Sequence, residues 1–235
     1  MKRNMWFSVD IISASVFILI PIAVFLLTTT QQETPILLGI KISQTPEPDL
    51  FGIGQWLLLI APAVFCSIRY WMMQNAIIRF TVLRVGGYRK WWYQRMFRIL
   101  FFVFLYSLYS ILLFMLHSQM RQYWISYLVL FNLHLDVLCM LCIILSSILK
   151  NGIGFVIVFI MEGLGYILAA SDISLNRYMF TIFGMVARSE SMSSDFGYSM
   201  VGAVVAQLLI ITIMFMLPKK TLEWILQNNN KEKIK

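Results

Sequence analysis

Charge is scarce in this 235-residue chain. Asp, Glu, Lys and Arg make up 13% of it, while hydrophobic residues make up 60%. A soluble globular domain carries about 25% charged and about 45–50% apolar residues. The shortfall excludes a disordered chain, a collagen-like fibre and an ordinary cytosolic enzyme. Histidine occurs only at His117 and His134, too few for a histidine-rich metal site. The three cysteines, Cys66, Cys139 and Cys142, all lie in apolar runs, and an odd count does not suit a closed disulfide framework. Cys139 and Cys142 form a C-x-x-C pair, read here as small buried residues, with a metal or redox pair as the alternative.

Several motifs are also missing. No G-x-x-x-x-G-K-[ST] run cradles a nucleotide, and there is no H-E-x-x-H, no G-x-S-x-G and no cluster of His with acids. The sequence therefore offers no catalytic, cofactor or metal residues. Either the chain works through isolated intramembrane charges, or a partner supplies its energy.

What is present is a series of long apolar runs. They predict an all-α membrane protein of one domain, with six transmembrane helices at about 7–27, 52–73, 96–116, 124–149, 152–170 and 200–217. Each is near the roughly 20 residues needed to cross about 30 Å of hydrocarbon. Lipid offers no partner for backbone N–H and C=O groups, so helices are expected, and the continuous Leu/Ile/Phe runs lack the alternation of barrel strands. The first run is long for a signal sequence and no A-x-A site follows it, so it is expected to stay attached. A polar link, 117–123, separates the third and fourth spans. Lys150-Asn151-Gly152 reads as a tight turn.

The net charge of +8 would suit nucleic acid only on a soluble basic face, and here the basic residues flank apolar runs instead. With the N-terminus placed in the cytoplasm, the inner segments hold Lys2, Arg3, Arg79, Arg84, Arg89, Lys90, Arg95, Arg98, Lys150, Lys219, Lys220, Lys231, Lys233 and Lys235. The outer segments hold only Lys41, Arg121, Arg177 and Arg188. This bias predicts both termini inside, in a multi-pass protein of the cell membrane, with a bacterial plasma membrane as the expected setting.

The segment 74–95 between the second and third spans is the most informative. Ile77, Ile78, Phe80, Thr81 and Leu83 form a short apolar stripe beside Arg79 and Arg84, which suits a helix at the membrane surface. Gly86-Gly87 breaks it, and Tyr88-Arg89-Lys90-Trp91-Trp92 restarts toward the membrane with tryptophans at interfacial depth. One reading is an anchor for anionic lipid heads. The other is a short helix that docks on a cytoplasmic partner and transmits its movement.

The run Leu83-Arg84-Val85-Gly86-Gly87-Tyr88-Arg89-Lys90-Trp91-Trp92 resembles the intracellular coupling segment of type-2 ATP-binding-cassette exporter permeases. Small bacterial members of that family, including those beside peptide-antibiotic and lantibiotic clusters, often have an Arg, a small-residue turn, further basic residues and a Trp in this place. The six-span plan and the long outer segment 171–199 are similar too. The resemblance spans the whole chain in topology and about ten residues in motif. It implies a homodimeric or heterodimeric membrane core working with a separate cytoplasmic subunit that binds ATP and Mg. It assigns Arg84, Gly86, Gly87, Tyr88, Arg89, Lys90, Trp91 and Trp92 to contact with that subunit. It also implies an amphipathic substrate, a peptide or a lipid-like molecule.

Two acids are expected inside the membrane, Asp136 near the middle of the fourth span and Glu162 near the middle of the fifth. A centred acid costs roughly 2.5–3.5 kcal/mol on insertion scales, so neither is expected to face lipid unpaired. Each is read as an interhelical hydrogen bond or ion pair, or as part of a polar or proton-carrying path. Asn132 lies one turn before Asp136 on one face, while His134 points elsewhere. Arg69 either pairs with an acid or snorkels to the inner surface. In the outer segment, the apolar stretch from Tyr178 to Val186 is too short to span. It predicts an interfacial or re-entrant helix, or a surface helix packed on the bundle. The tail from Leu222 is expected to follow the membrane surface. A stand-alone proton-coupled transporter and a peptide-immunity or accessory membrane protein are the alternatives to the exporter subunit.

Overall fold

The structure, a computed structural model, describes residues 11–29, 36–42, 48–115, 118–149, 152–193 and 195–216. Among these residues seven α-helices run in chain order: α1 (Ile11–Thr29), α2 (Leu50–Ala76), α3 (Ile78–Val85), α4 (Tyr88–Phe114), α5 (Ser118–Ile148), α6 (Ile153–Ser171) and α7 (Met200–Met216). Among the described residues there is no strand, only an isolated bridge between Ser189 and Tyr198. Lys2, Arg3, Lys150, the basic residues from Lys219 onward and the tail from Leu222 lie outside the described residues, as does His117.

Four of these helices contain stretches long and apolar enough to cross a membrane: Leu50–Gln74, Tyr88–Phe114, Arg121–Ile148 and Ile153–Ser171. The chain thus has the character of a membrane-embedded, multi-pass protein. The apolar parts of α1 and α7, Ile12–Thr28 and Met200–Met216, are shorter. The expected first span begins and the expected last span ends outside the described residues.

The 31-residue α5, about 46 Å long at 1.5 Å per residue, is the central post. It packs against α2, α4, α6 and α7, while α1 lies on α2 and α4. The buried faces bring together Trp56, Val64, Val103, Tyr106, Phe131 and Leu138. The opposite faces carry Leu112, Phe97, Val201 and Leu209, large apolar side chains left outward as a lipid solvent would favour. Pro21 and Pro62 sit inside α1 and α2. Each removes one N–H from the ladder, a loss that membrane helices tolerate where neighbours re-satisfy the freed carbonyl.

The connections segregate to two ends of the bundle. At the elbow end, α2 turns through Ile77 into α3, and α3 turns through Gly86 and Gly87 into α4. Both glycines have positive φ, +88° and +132°. Two successive residues at positive φ define a sharp break, and at Gly87 a Cβ would resist it. At the cap end, a turn at Ile36–Leu38 and three 3-10 turns at Ile173–Arg177, Phe180–Ile182 and Val186–Arg188 cover α5 and α6.

Three elements differ from their expected form. Helix α4 starts at Tyr88, eight residues before the expected start of the third span, because nothing after Gly87 breaks the helix and Trp91 and Trp92 have an inner face to bury against. Residues 118–123, expected as a polar link, already belong to α5. The stretch from Tyr178 to Val186 is not one helix but a chain of separate 3-10 turns. Every residue from Thr181 to Ser189 is buried, so this segment is lodged in the bundle on all sides, which a one-sided surface helix could not be.

Candidate functional site

At the elbow, the sequence places an apolar stripe, two glycines and a Trp-Trp pair between Ile77 and Trp92, and the fold divides them between surface and interior. Leu83, 83% exposed, projects from α3 beside exposed Arg84. Gly86 ends α3, with its N–H and that of Gly87 both donating to the Val82 carbonyl. Tyr88, Arg89 and Lys90 are also exposed. Arg89 donates to the Tyr93 hydroxyl at 3.3 Å and lies over that ring.

Trp91 and Trp92, assigned by the resemblance to partner contact, point the other way. They are 0% and 4% exposed. Both rings meet Trp71 of α2 at centroid distances of 5.4 Å, Trp92 edge-on. Trp91 Nε1 donates to Thr81 Oγ1 at 2.9 Å, joining α4 to α3. Trp71 Nε1 donates to Ser147 Oγ at 3.1 Å, joining α2 to the end of α5. Arg95 reaches the Tyr70 hydroxyl at 2.9 Å and covers the Trp91 ring. The elbow is therefore a polar, basic outer surface on an aromatic core shared with α2, α3, α4 and α5. Trp71 was not singled out from the sequence, although a third tryptophan near the end of the second span was a usable signal.

Deeper in the bundle, the two acids have different partners. Asn132 Nδ2 donates to Asp136 Oδ2 at 3.0 Å within α5, as the one-turn spacing predicts. Ser107 of α4 donates to Asn132 Oδ1 at 3.2 Å, so this chain ties α4 to α5. Glu162, on α6, meets a different face of α5. Its Oε1 accepts from Trp56 Nε1 of α2 at 3.1 Å and lies 2.9 Å from His134 Nε2 of α5. His134, read from the sequence as pointing away from Asp136, points instead at Glu162. Neither acid pairs with Arg69, which sits half-buried in α2. Cys66, Cys139 and Cys142 are free and buried, and no group of three or more His, Cys, Asp or Glu side chains is arranged for a metal among the described residues.

The cap carries a cation that the sequence suggested would lie in an outer loop. Arg188 is 2% exposed. Its Nε donates to the Ile40 carbonyl at 2.9 Å and its Nη1 to Asn176 Oδ1 at 3.1 Å, with the guanidinium 4.7 Å from the Tyr166 ring centroid. Burial pulls its pKa below the usual guanidinium value, and the adjacent Tyr166 opposes that. Asn176 Nδ2 donates to the carbonyls of Arg188 and Phe196, and the Tyr198 hydroxyl donates to those of Phe183 and Met185. These bonds close the cap over α5 and α6. Gly184 lies flat on the His134 ring: a Cβ there would stand 2.7 Å from His134 Cδ2.

Compared with protein-family models, with characterised proteins and with solved structures, the chain matches none.

Proposed function

We propose that this chain is the membrane permease subunit of an ATP-binding-cassette exporter, crossing the membrane six times with both termini in the cytoplasm. A separate cytoplasmic subunit binds ATP and Mg and drives alternating access. A second permease subunit, identical or not, completes the path, and the substrate is an amphipathic peptide or lipid-like molecule. The observation that carries this reading is the elbow. Leu83, Arg84, Tyr88, Arg89 and Lys90 form an exposed basic projection. Its root is locked to α2 and α5 through Trp71, Trp91 and Trp92. A lever needs both a handle and a rigid fulcrum. Anchoring to lipid heads would need the first but not the second.

Trp91 and Trp92 act in this reading as the fulcrum, while Arg84, Tyr88, Arg89 and Lys90 touch the partner, with Gly86 and Gly87 setting the angle. The two buried acids favour the second reading, a stand-alone proton-coupled carrier, and a peptide-immunity or accessory role predicts binding without turnover. The test is site-directed cross-linking in native membranes. The native cysteines are buried, so a cysteine at Leu83 or Lys90 reports alone. It is expected to capture an ATP-hydrolysing protein, while a cysteine at Trp92 captures none. Cross-links from Leu83 to lipid alone, with transport intact, would reject the exporter reading.

A further inference from the structure

Glu162 Oε1 is shared by two nitrogen atoms, Trp56 Nε1 and His134 Nε2. Trp56 can only donate. The 2.9 Å His134 Nε2–Glu162 Oε1 contact is a hydrogen bond only with a proton in it, carried by Nε2 when the pair holds a single proton. The other atom of each group, His134 Nδ1 and Glu162 Oε2, is buried and has no hydrogen-bond partner. These two atoms are the vacant positions for a second proton. With one proton the pair carries a net negative charge, and with two it is neutral, as imidazolium and carboxylate or as imidazole and carboxylic acid.

Among the described residues, no Lys or Arg forms an ion pair with Glu162. From α2 it is faced by Trp56, and from α5 by His134 itself. Asp136, two residues on, is engaged with Asn132 and is another acid. From α6 it is faced by Glu162 and, one turn later, Tyr166. From the cap it is faced by Phe180, whose ring centroid lies 5.4 Å from that of His134, and by Gly184. Thr181 packs on Gly165, one turn from Glu162. The cap's cation, Arg188, is held by the Ile40 carbonyl and Asn176. Among the described residues His134 is the only basic side chain within ion-pairing distance of Glu162. An uncompensated charge in a lipid-bounded bundle is strongly disfavoured.

We infer that the Trp56–His134–Glu162 triangle is a proton-binding site, holding one proton on His134 Nδ1 or Glu162 Oε2 beneath the cap and exchanging it with water only when the segment Phe180–Gly184 lifts. The proton comes from and returns to bulk water, with no other bond made or broken. This inference does not depend on an ATPase partner, and its failure would leave the elbow reading intact.

The experiment uses the full chain in lipid nanodiscs with His117→Gln and Asp136→Asn, so that His134 is the only histidine and Glu162 the only acid near the bundle centre. Two spectra are recorded at pH 8, where solvent-exposed carboxyls are ionised. Nitrogen-15 NMR reports whether both His134 nitrogens carry hydrogen, and infrared absorption reports a buried carboxylic acid. One of the two signatures is expected, at one per chain. A neutral His134 with no carboxylic acid band would overturn the proton site. Arg188→Gln then loosens the cap, as judged by faster amide exchange at 36–42. In that variant the signature is expected to fade at pH 8 and return on acidification. A signature unchanged despite the open cap would overturn the coupling to the cap.

Discussion

Arg188 donates its Nε–H to the carbonyl of Ile40, at 2.9 Å and across 148 positions of sequence. That bond, with Asn176, fastens the loop after α1 to the segment before α7, so the cap-end connections behave as one plate. Replacing Arg188 with Gln orphans the Ile40 carbonyl and one side of Asn176. Bonds to a charged donor are worth about 1.5–3 kcal/mol each. The variant is expected to lose about 2–4 kcal/mol from the plate, given that Gln retains part of the volume and one donor group. Hydrogen exchange should rise together at 36–42 and at 173–188. A rise confined to one of the two segments would show that they are not joined through Arg188.

The two elbow glycines are not equivalent. Gly86 has φ +88° and ψ 27°, a left-handed helix end that Asn also adopts. Gly87 has φ +132° and ψ 160°, a region essentially restricted to glycine and costing other residues of order 1–3 kcal/mol. Gly86→Asn is expected to leave thermal stability nearly unchanged, and Gly87→Asn to lower it clearly. Equal effects in a melting experiment would mean that the chain turns differently between α3 and α4.

Trp91 Nε1 and Thr81 Oγ1 form the one side-chain hydrogen bond between α3 and α4 among the described residues. Trp91→Phe keeps a ring against Trp71 but removes the donor, and Thr81→Val removes the acceptor while keeping the shape. Each single change is expected to cost about 1 kcal/mol, and the double change little more than either alone, because both remove the same bond. Trp71→Ala removes the ring that Trp91 and Trp92 share and is expected to cost about 3–5 kcal/mol. A double-mutant cycle of unfolding in mixed micelles reads the coupling. Full additivity would mean that the bond is not made.

The apolar runs and the Gly-Gly break were legible in the sequence because each rests on local chemistry: runs of Leu, Ile and Phe need lipid or a core, and paired glycines mark a turn. The one-turn pair Asn132 and Asp136 was legible for the same reason. The partner of Glu162 was not, since Trp56 and His134 lie 106 and 28 residues away and only the packing of α2, α5 and α6 brings them in. The direction of Trp91 and Trp92 was also hidden. In a basic run they read as interfacial anchors, and only Trp71 offers them a buried alternative. Arg188 counted as a loop charge until the cap closed over it.

Asp172 opens the first 3-10 turn of the cap. Its Oδ1 accepts from the Ser174 hydroxyl at 2.6 Å and the Ser174 amide at 2.9 Å, and these bonds hold its pKa below the ordinary carboxylate value. A depressed folded-state pKa means that the contribution is fully present above the unfolded value of about 3.9 and is lost as pH falls through the folded one. Order at Ser174 is therefore expected to be constant from neutral pH down to about 4 and to decline below it. Asp172→Asn keeps an acceptor without a titrating group and should flatten that profile. An Asn variant with the same acid-side decline would place the cause elsewhere.

Asp136 and its neighbour Asn132 separate a structural carboxyl from a charged one. Asn132 Nδ2 donates to Asp136 Oδ2, while Asp136 Oδ1 is buried without a partner. An Asn at 136 offers the same acceptor in the same shape. Side-chain hydrogen bonds within membrane bundles average about 0.6 kcal/mol and reach about 1.7. Asp136→Asn is therefore expected to change stability by less than about 1 kcal/mol. Asn132→Leu strips the carboxyl of its donor and should cost more, about 1–3 kcal/mol, the penalty of an unsatisfied buried polar group. Unfolding of both variants in mixed micelles ranks them. If Asp136→Asn proved the more damaging, the residue would be acting as a carboxylate whose charge the bundle needs, and the bond to Asn132 would be secondary.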